Sequence, residues 1–228
     1  HLSLRRQRQM CIRDRFNRPC RFICRVIMKV YEIISEGGKV VESVYIIGDS
    51  IAVGIQKASG ADGDSKGGIS SKQVLDKVEK FVSSGRANGT LVILSSGASN
   101  STYERRNGTN QELDIGPILQ QLRLLKQAGA TPVLVGTGSG TSNWITNRYG
   151  EYRVNFVKEQ VNQKLSAAAK EVGVKFLGPL EDYDPNIGIE KGGDGIHPFN
   201  GYSKLFKSAT SGGAGAMMSP LKDKDDDK

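Results

Sequence analysis

From residue 43 onward, short apolar runs alternate with longer segments whose apolar residues recur every three or four positions. Ser43-Val44-Tyr45-Ile46-Ile47 is rich in β-branched and aromatic residues, stops at Gly48, and predicts a buried strand. Thr90-Leu91-Val92-Ile93-Leu94, Thr131-Pro132-Val133-Leu134-Val135 and Val174-Lys175-Phe176-Leu177 predict three more. Between them the period is helical. Val74, Leu75, Val78, Phe81 and Val82 mark a helix capped by Ser70 or Ser71 and running through Phe81. Residues 111–128 carry Leu113, Ile115, Ile118, Leu119, Leu122 and Leu125, and Gly129 ends them. Residues 151–172 carry Val154, Val157, Val161 and Leu165 on one face before Gly173, and residues 200–209 predict a last short helix with Tyr202, Leu205 and Phe206 as its apolar side. Strands separated by helices imply parallel crossovers, hence an α/β protein whose parallel sheet is covered on both faces. Sheets of this kind bind ligands at the carboxyl ends of their strands.

The charge changes little in this picture. The net charge of +8 is carried by residues 1–30, which hold nine Lys/Arg and a single acid, Asp14; the remainder is balanced. A nucleic-acid partner is therefore not expected, since it would need a basic face on the folded body. Cys11, Cys20 and Cys24 all lie in the same arm, so the body needs no disulfide, and three cysteines with only His1 nearby make a poor zinc set. Residues 1–27 read as a basic arm outside the fold, an assembly artefact or a disordered end, with Met28 a natural start. Residues 211–228 read as a flexible Gly-rich and charged tail, whose last residues could equally be added sequence or lead into another domain. Neither a signal peptide nor a transmembrane segment is recognised, so no membrane partner is expected, and cytoplasmic or virion-associated locations both remain open. The sequence sets no oligomeric state.

Three segments fall where the sheet would place a site. Gly48-Asp49-Ser50 follows the first strand and would put Ser50 at the start of a short helix, Ile51 to Lys57, where a backbone N–H and the helix dipole favour developing negative charge. Taken alone it also reads as a helix-capping turn. Asp194-Gly195-Ile196-His197-Pro198 holds the body's one histidine, with a carboxylate three residues earlier that could fix its tautomer while the other nitrogen takes a serine proton. Ser95-Ser96-Gly97-Ala98-Ser99-Asn100 follows the second long strand, where an Asn amide could donate to an oxyanion. Gly67-Gly68 precedes a helix, and either glycine offers a further N–H.

Together these residues resemble the SGNH (GDSL-like) hydrolase family, over about residues 42–209 of the chain. The resemblance implies a flavodoxin-like three-layer α/β/α sandwich, a hydrolase domain over residues 28–210, and a serine esterase with no metal and no cofactor. Gly48-Asp49-Ser50 matches the G-D-S block and implies Ser50 as nucleophile. Asp194 to His197 matches D-x-x-H and implies a base with its orienting acid. The implied oxyanion hole is the N–H of Ser50, the N–H of Gly68 (Gly67 being the alternative) and the side chain of Asn100. The third block departs from the usual G-x-N-D: Gly97-Ala98-Ser99-Asn100 places Asn one position late, so Ser99 is the other occupant of that slot.

The expected partner is a small-molecule or glycan ester. Residues 137–150 are polar, with Trp144 and Tyr149 as stacking platforms for a sugar, and Arg105 beside Arg106 could meet an acidic glycan. No long apolar lid segment is evident, which favours a short-acyl or carbohydrate O-acetyl esterase over a long-chain lipase. The competing reading is a non-catalytic glycan-binding or virion-type structural module on the same fold. A nucleotide- or flavin-binding protein is disfavoured, because no G-x-G-x-x-G or P-loop follows the first strand.

Overall fold

A computed structural model describes residues 41–97, 113–138, 160–185, 187, 196–198 and 200–211. Among these residues five strands are hydrogen-bonded in parallel: β1 (Ser43–Gly48), β2 (Asp62–Ser65), β3 (Thr90–Ser95), β4 (Thr131–Val135) and β5 (Lys175–Leu177). The helices are α1 (Ser50–Ser59), α2 (Ser71–Ser83), α3 (Gly116–Gln127), α4 (Asn162–Val172) and α5 (Tyr202–Thr210).

The strand order β2-β1-β3-β4-β5 is the flavodoxin-like doubly wound order. Side chains alternate across each strand, so every strand of the central run feeds two cores. Val92 and Leu94 of β3 join Ile47 and Leu134 beneath α2, α3 and α4, whose Val74, Val78, Ile118, Leu122 and Leu165 complete that layer. Leu91 and Ile93 face the other way, with Ile46, Val133 and Val135, against Ile51, Ala52 and Ile55 of α1 and Leu205 and Ala209 of α5. This is the expected three-layer α/β/α sandwich. All six residues of β3 are buried, which explains why its sequence is an unbroken apolar run rather than an alternating one.

Several boundaries differ from the pattern-based expectation. β2 has no hydrophobic signal, because Asp62-Gly63-Asp64-Ser65 is an edge strand paired only with β1. Its Asp64 pairs with Lys77 of α2. α1 begins one residue earlier than expected and runs to Ser59, closed by Gly60 in the left-handed conformation. α2 starts with Ser70 as N-cap, and the Gln73 side chain accepts the Ser70 backbone N–H at 3.0 Å. α3 starts only at Gly116, with Pro117 in its first turn, where a missing N–H costs nothing. The first part of the helix expected over residues 151–172 lies outside the described residues.

Candidate active site

The turn after β1 is built by close approach. Gly48 has φ of 149°, and a Cβ on it would lie 2.9 Å from the Ser95 carbonyl carbon and closer still to its oxygen. Only glycine fits there. The next residue, Asp49, is 1% exposed. Its carboxylate accepts the Ile51 N–H at 3.0 Å and the Ser95 hydroxyl at 2.7 Å. One side chain therefore caps α1 and fastens it to the end of β3. Burial pushes the Asp49 carboxyl above the usual range, opposed by the hydrogen bonds from Ser95 and from backbone N–H groups including those of Ile51 and Gly97. The capping-turn reading of Gly-Asp-Ser is thus correct, and the same cap places Ser50 as the first residue of α1.

Ser50 Oγ lies 2.8 Å from His197 Nε2, across 147 positions of chain. The histidine segment is held from several sides. Pro198 is buried, and Gly201, at the head of α5, packs so closely on Pro198 and Asp184 that a Cβ would sit 2.9 Å from one and 3.1 Å from the other. Asn200 N–H donates to the buried Asp184 carboxylate at 3.3 Å. Gly138, past the end of β4, approaches Ile196, where a Cβ would be 3.0 Å from its carbonyl oxygen. Tyr202 opens α5 and lays its ring over Gly54 of α1, with a Cβ on Gly54 falling within 2.5 Å of three ring carbons. The helix that follows the histidine thus docks on the helix that carries the serine.

The Gly67–Gly68 loop runs beside this pair. Lys66 N–H donates to Gly48 O at 2.9 Å. A Cβ on Gly67 would have Ser50 Cβ as its nearest neighbour, at 3.8 Å, whereas Gly68 has φ of 76° and faces open space. Gly97 closes the loop from the other side: it has φ of 67°, and a Cβ there would be 2.7 Å from Ile69 O. The ends of β1 and β3 are adjacent in the sheet while the chain leaves them toward opposite faces, so the cluster occupies the topological switch point.

The structure therefore brings together Ser50, His197 and the Gly67–Gly68 loop. Asp194, Asn100, Ser99, Trp144, Tyr149, Arg105 and Arg106 lie outside the described residues. Sequence reasoning gave no role to Ser95, Asp184 or Gln121. Gln121 alone left a signal, as a polar residue on the apolar stripe of α3 between Ile118 and Leu122. Among the described residues, no group of His, Cys, Asp and Glu is arranged to hold a metal ion, and no helix is long and apolar enough to cross a membrane.

No family model and no curated protein matches the sequence. Solved structures do match. A GDSL-like lipase from Bacteroides thetaiotaomicron aligns with TM-score 0.55 and 17% identity over 81% of this chain and 93% of that one. A protein of Parabacteroides merdae assigned as a GDSL-like lipase aligns with TM-score 0.53 and 13% identity over 73% of this chain and 94% of that one. One of Desulfitobacterium hafniense assigned to the G-D-S-L lipolytic family gives 0.50 and 16% over 73% and 97%. At these identities the likeness is one of architecture, and with the strand order and the two cores it establishes that the chain has the fold of the GDSL-like (SGNH) hydrolases.

Proposed function

We propose that the chain is a serine esterase that works through an acyl-enzyme. The observation that carries this reading is the 2.8 Å contact between Ser50 Oγ and His197 Nε2 at the N-terminus of α1. A serine hydroxyl is a weak nucleophile until a neighbouring base takes its proton. In the proposed reaction, His197 Nε2 accepts that proton as Ser50 Oγ attacks the ester carbonyl. The oxyanion forms against the Ser50 N–H, with the Gly68 N–H and the Asn100 amide as the other donors. His197 then returns the proton to the leaving alcohol, and water attacks the acyl-enzyme by the same route. Asp194 holds Nδ1 protonated. The chemistry requires neither metal nor cofactor.

The substrate class is read from residue types in the sequence alone, those of the polar segment 137–150 and of Arg105. Trp144 and Tyr149 suit stacking on a sugar ring, and Arg105 suits an acidic group, which favours a short-acyl or carbohydrate O-acetyl ester. Ser50→Ala is expected to abolish hydrolysis of p-nitrophenyl acetate while far-UV circular dichroism stays unchanged, and a fluorophosphonate probe should label the wild type at Ser50. Unchanged turnover in the variant would remove the assignment. An unlabelled, inactive wild type would instead favour a non-catalytic module on this fold. Acetylated xylan or peptidoglycan set against long-chain esters tests the substrate class.

A further inference from the structure

One fully buried polar side chain lies outside the Ser50–His197 contact yet touches both loops that flank it. Gln121 of α3 is 0% exposed and points into the core layer beneath the sheet. Its Oε1 accepts the Ser96 hydroxyl at 2.8 Å, and its Nε2 donates to the Ser71 carbonyl at 2.7 Å. Ser96 and Ser71 are themselves buried. Ser96 is the first residue beyond β3, on the segment that leads through Gly97 to Asn100. Ser71 opens α2, three residues after Gly68. The two segments also meet directly, with Gly97 packed against Ile69 and Ser70.

A planar amide that engages one group on each segment fixes their separation and their relative tilt. Stability alone gives little reason for such a group, since replacing a buried hydrogen-bonded pair by apolar side chains of similar shape is close to neutral. What a satisfied buried network adds is a unique arrangement of the parts it joins. We infer that Gln121 is a positioning residue for the oxyanion hole: it sets the gap between the Gly67–Gly68 loop and the segment after β3, and so tunes transition-state binding without touching substrate. The inference rests on the esterase reading above.

The test compares wild type, Gln121→Met, Ser96→Ala, and the double variant S96A/Q121M. Each is assayed for p-nitrophenyl acetate hydrolysis and for binding of phenylboronic acid, in which Ser50 Oγ adds to boron and the resulting tetrahedral anion places an oxygen in the oxyanion hole. Because a displaced donor mainly affects the transition state, Gln121→Met should lower kcat by about 10–100-fold with KM within about twofold. Boronate affinity should fall in step with kcat. Ser96→Ala cuts one arm only and should give a smaller loss in the same direction, which keeps the inference testable if Gln121→Met fails to fold. In the double variant the unpaired hydroxyl is gone, so stability should recover toward wild type while kcat stays low. Overturning results are a double variant whose kcat and boronate affinity match wild type, or activity that falls only as the folded fraction falls. A wild type that neither hydrolyses the ester nor reacts with fluorophosphonate removes the esterase reading and this inference with it.

Discussion

Gly54→Ala sets local propensity directly against tertiary packing. Gly54 sits inside α1, where replacing glycine by alanine ordinarily stabilises a helix by about 1 kcal/mol. Here the new Cβ would lie within 2.5 Å of three carbons of the Tyr202 ring. Ordinary carbon–carbon contact is about 3.5–4.0 Å, so the ring must retreat by about 1 Å or more. Overpacking of this kind costs typically about 1–3 kcal/mol. Contacts this short put the cost at the upper end of that range, so after the propensity gain the net loss is about 2 kcal/mol, or a fall in Tm of roughly 4–8 °C for a domain of this size. Because Tyr202 opens the helix that follows His197, the same movement should separate Ser50 from His197. A misplacement of about 1 Å can cost on the order of 100-fold in rate. The assay is urea denaturation alongside the rate of fluorophosphonate labelling. Tyr202→Ala supplies the control: with the ring removed, Gly54→Ala should become stabilising, so the sign of its effect reverses between the two backgrounds. If Gly54→Ala is neutral or stabilising in the wild-type background, with labelling undiminished, the proposed docking of α5 on α1 is wrong.

Two further outcomes follow from the turns and the buried carboxylate. Gly97→Ala combines a left-handed backbone with a Cβ 2.7 Å from Ile69 O, whereas Gly85→Ala has the same backbone problem (φ of 75°) and nothing within 4 Å. Gly85→Ala should cost about 1–2 kcal/mol and leave turnover intact, while Gly97→Ala should cost roughly 2–4 kcal/mol and depress turnover as well; equal denaturation midpoints for the two variants would contradict the packing of that loop. Asp49→Asn isolates the buried carboxyl. Burial raises its folded pKa above the ordinary 3.8, so the folded state holds the proton more tightly, and this contribution to stability is complete below that value and is lost as pH rises through the folded pKa. The neutral variant should therefore gain on the wild type as pH rises from about 3.5 to 7 in paired urea titrations; a stability difference independent of pH, or one that shrinks with rising pH, would run against the assigned direction.

The strands β1, β3 and β4 were legible because each is a short apolar run that must be buried on both faces, and a parallel sheet between helices is the one layer that does this. β2 was illegible for the opposite reason. As an edge strand of Asp, Gly and Ser it takes its place from backbone pairing with β1, to which side-chain hydrophobicity contributes nothing. The serine and the histidine were legible as chemistry, since a Gly-Asp-Ser turn after a strand and an Asp-x-x-His loop late in the domain are rare enough together to suggest a shared purpose. Their contact was expected only through the resemblance to the SGNH hydrolases, because nothing local in either segment encodes a distance across 147 positions.

By itself the sequence determined the layers, the strand-helix alternation and the residue types offered for nucleophilic chemistry, because these depend on periodicity and on side-chain functional groups. Tertiary structure decided which polar residues act together. Asp49 could be a solvated cap until β3 brings the Ser95 hydroxyl to 2.7 Å from it. Gln121 is a lone polar residue on an apolar stripe, with no partner to be read from the sequence, until the packing of α3 sets it between Ser71 and Ser96. Gly54 looks like a weak point in a helix until the Tyr202 ring fills the space a Cβ would need. The reason is common to all three: a hydrogen bond or a close contact is a property of two chain segments, and only the packed fold fixes where the second one lies.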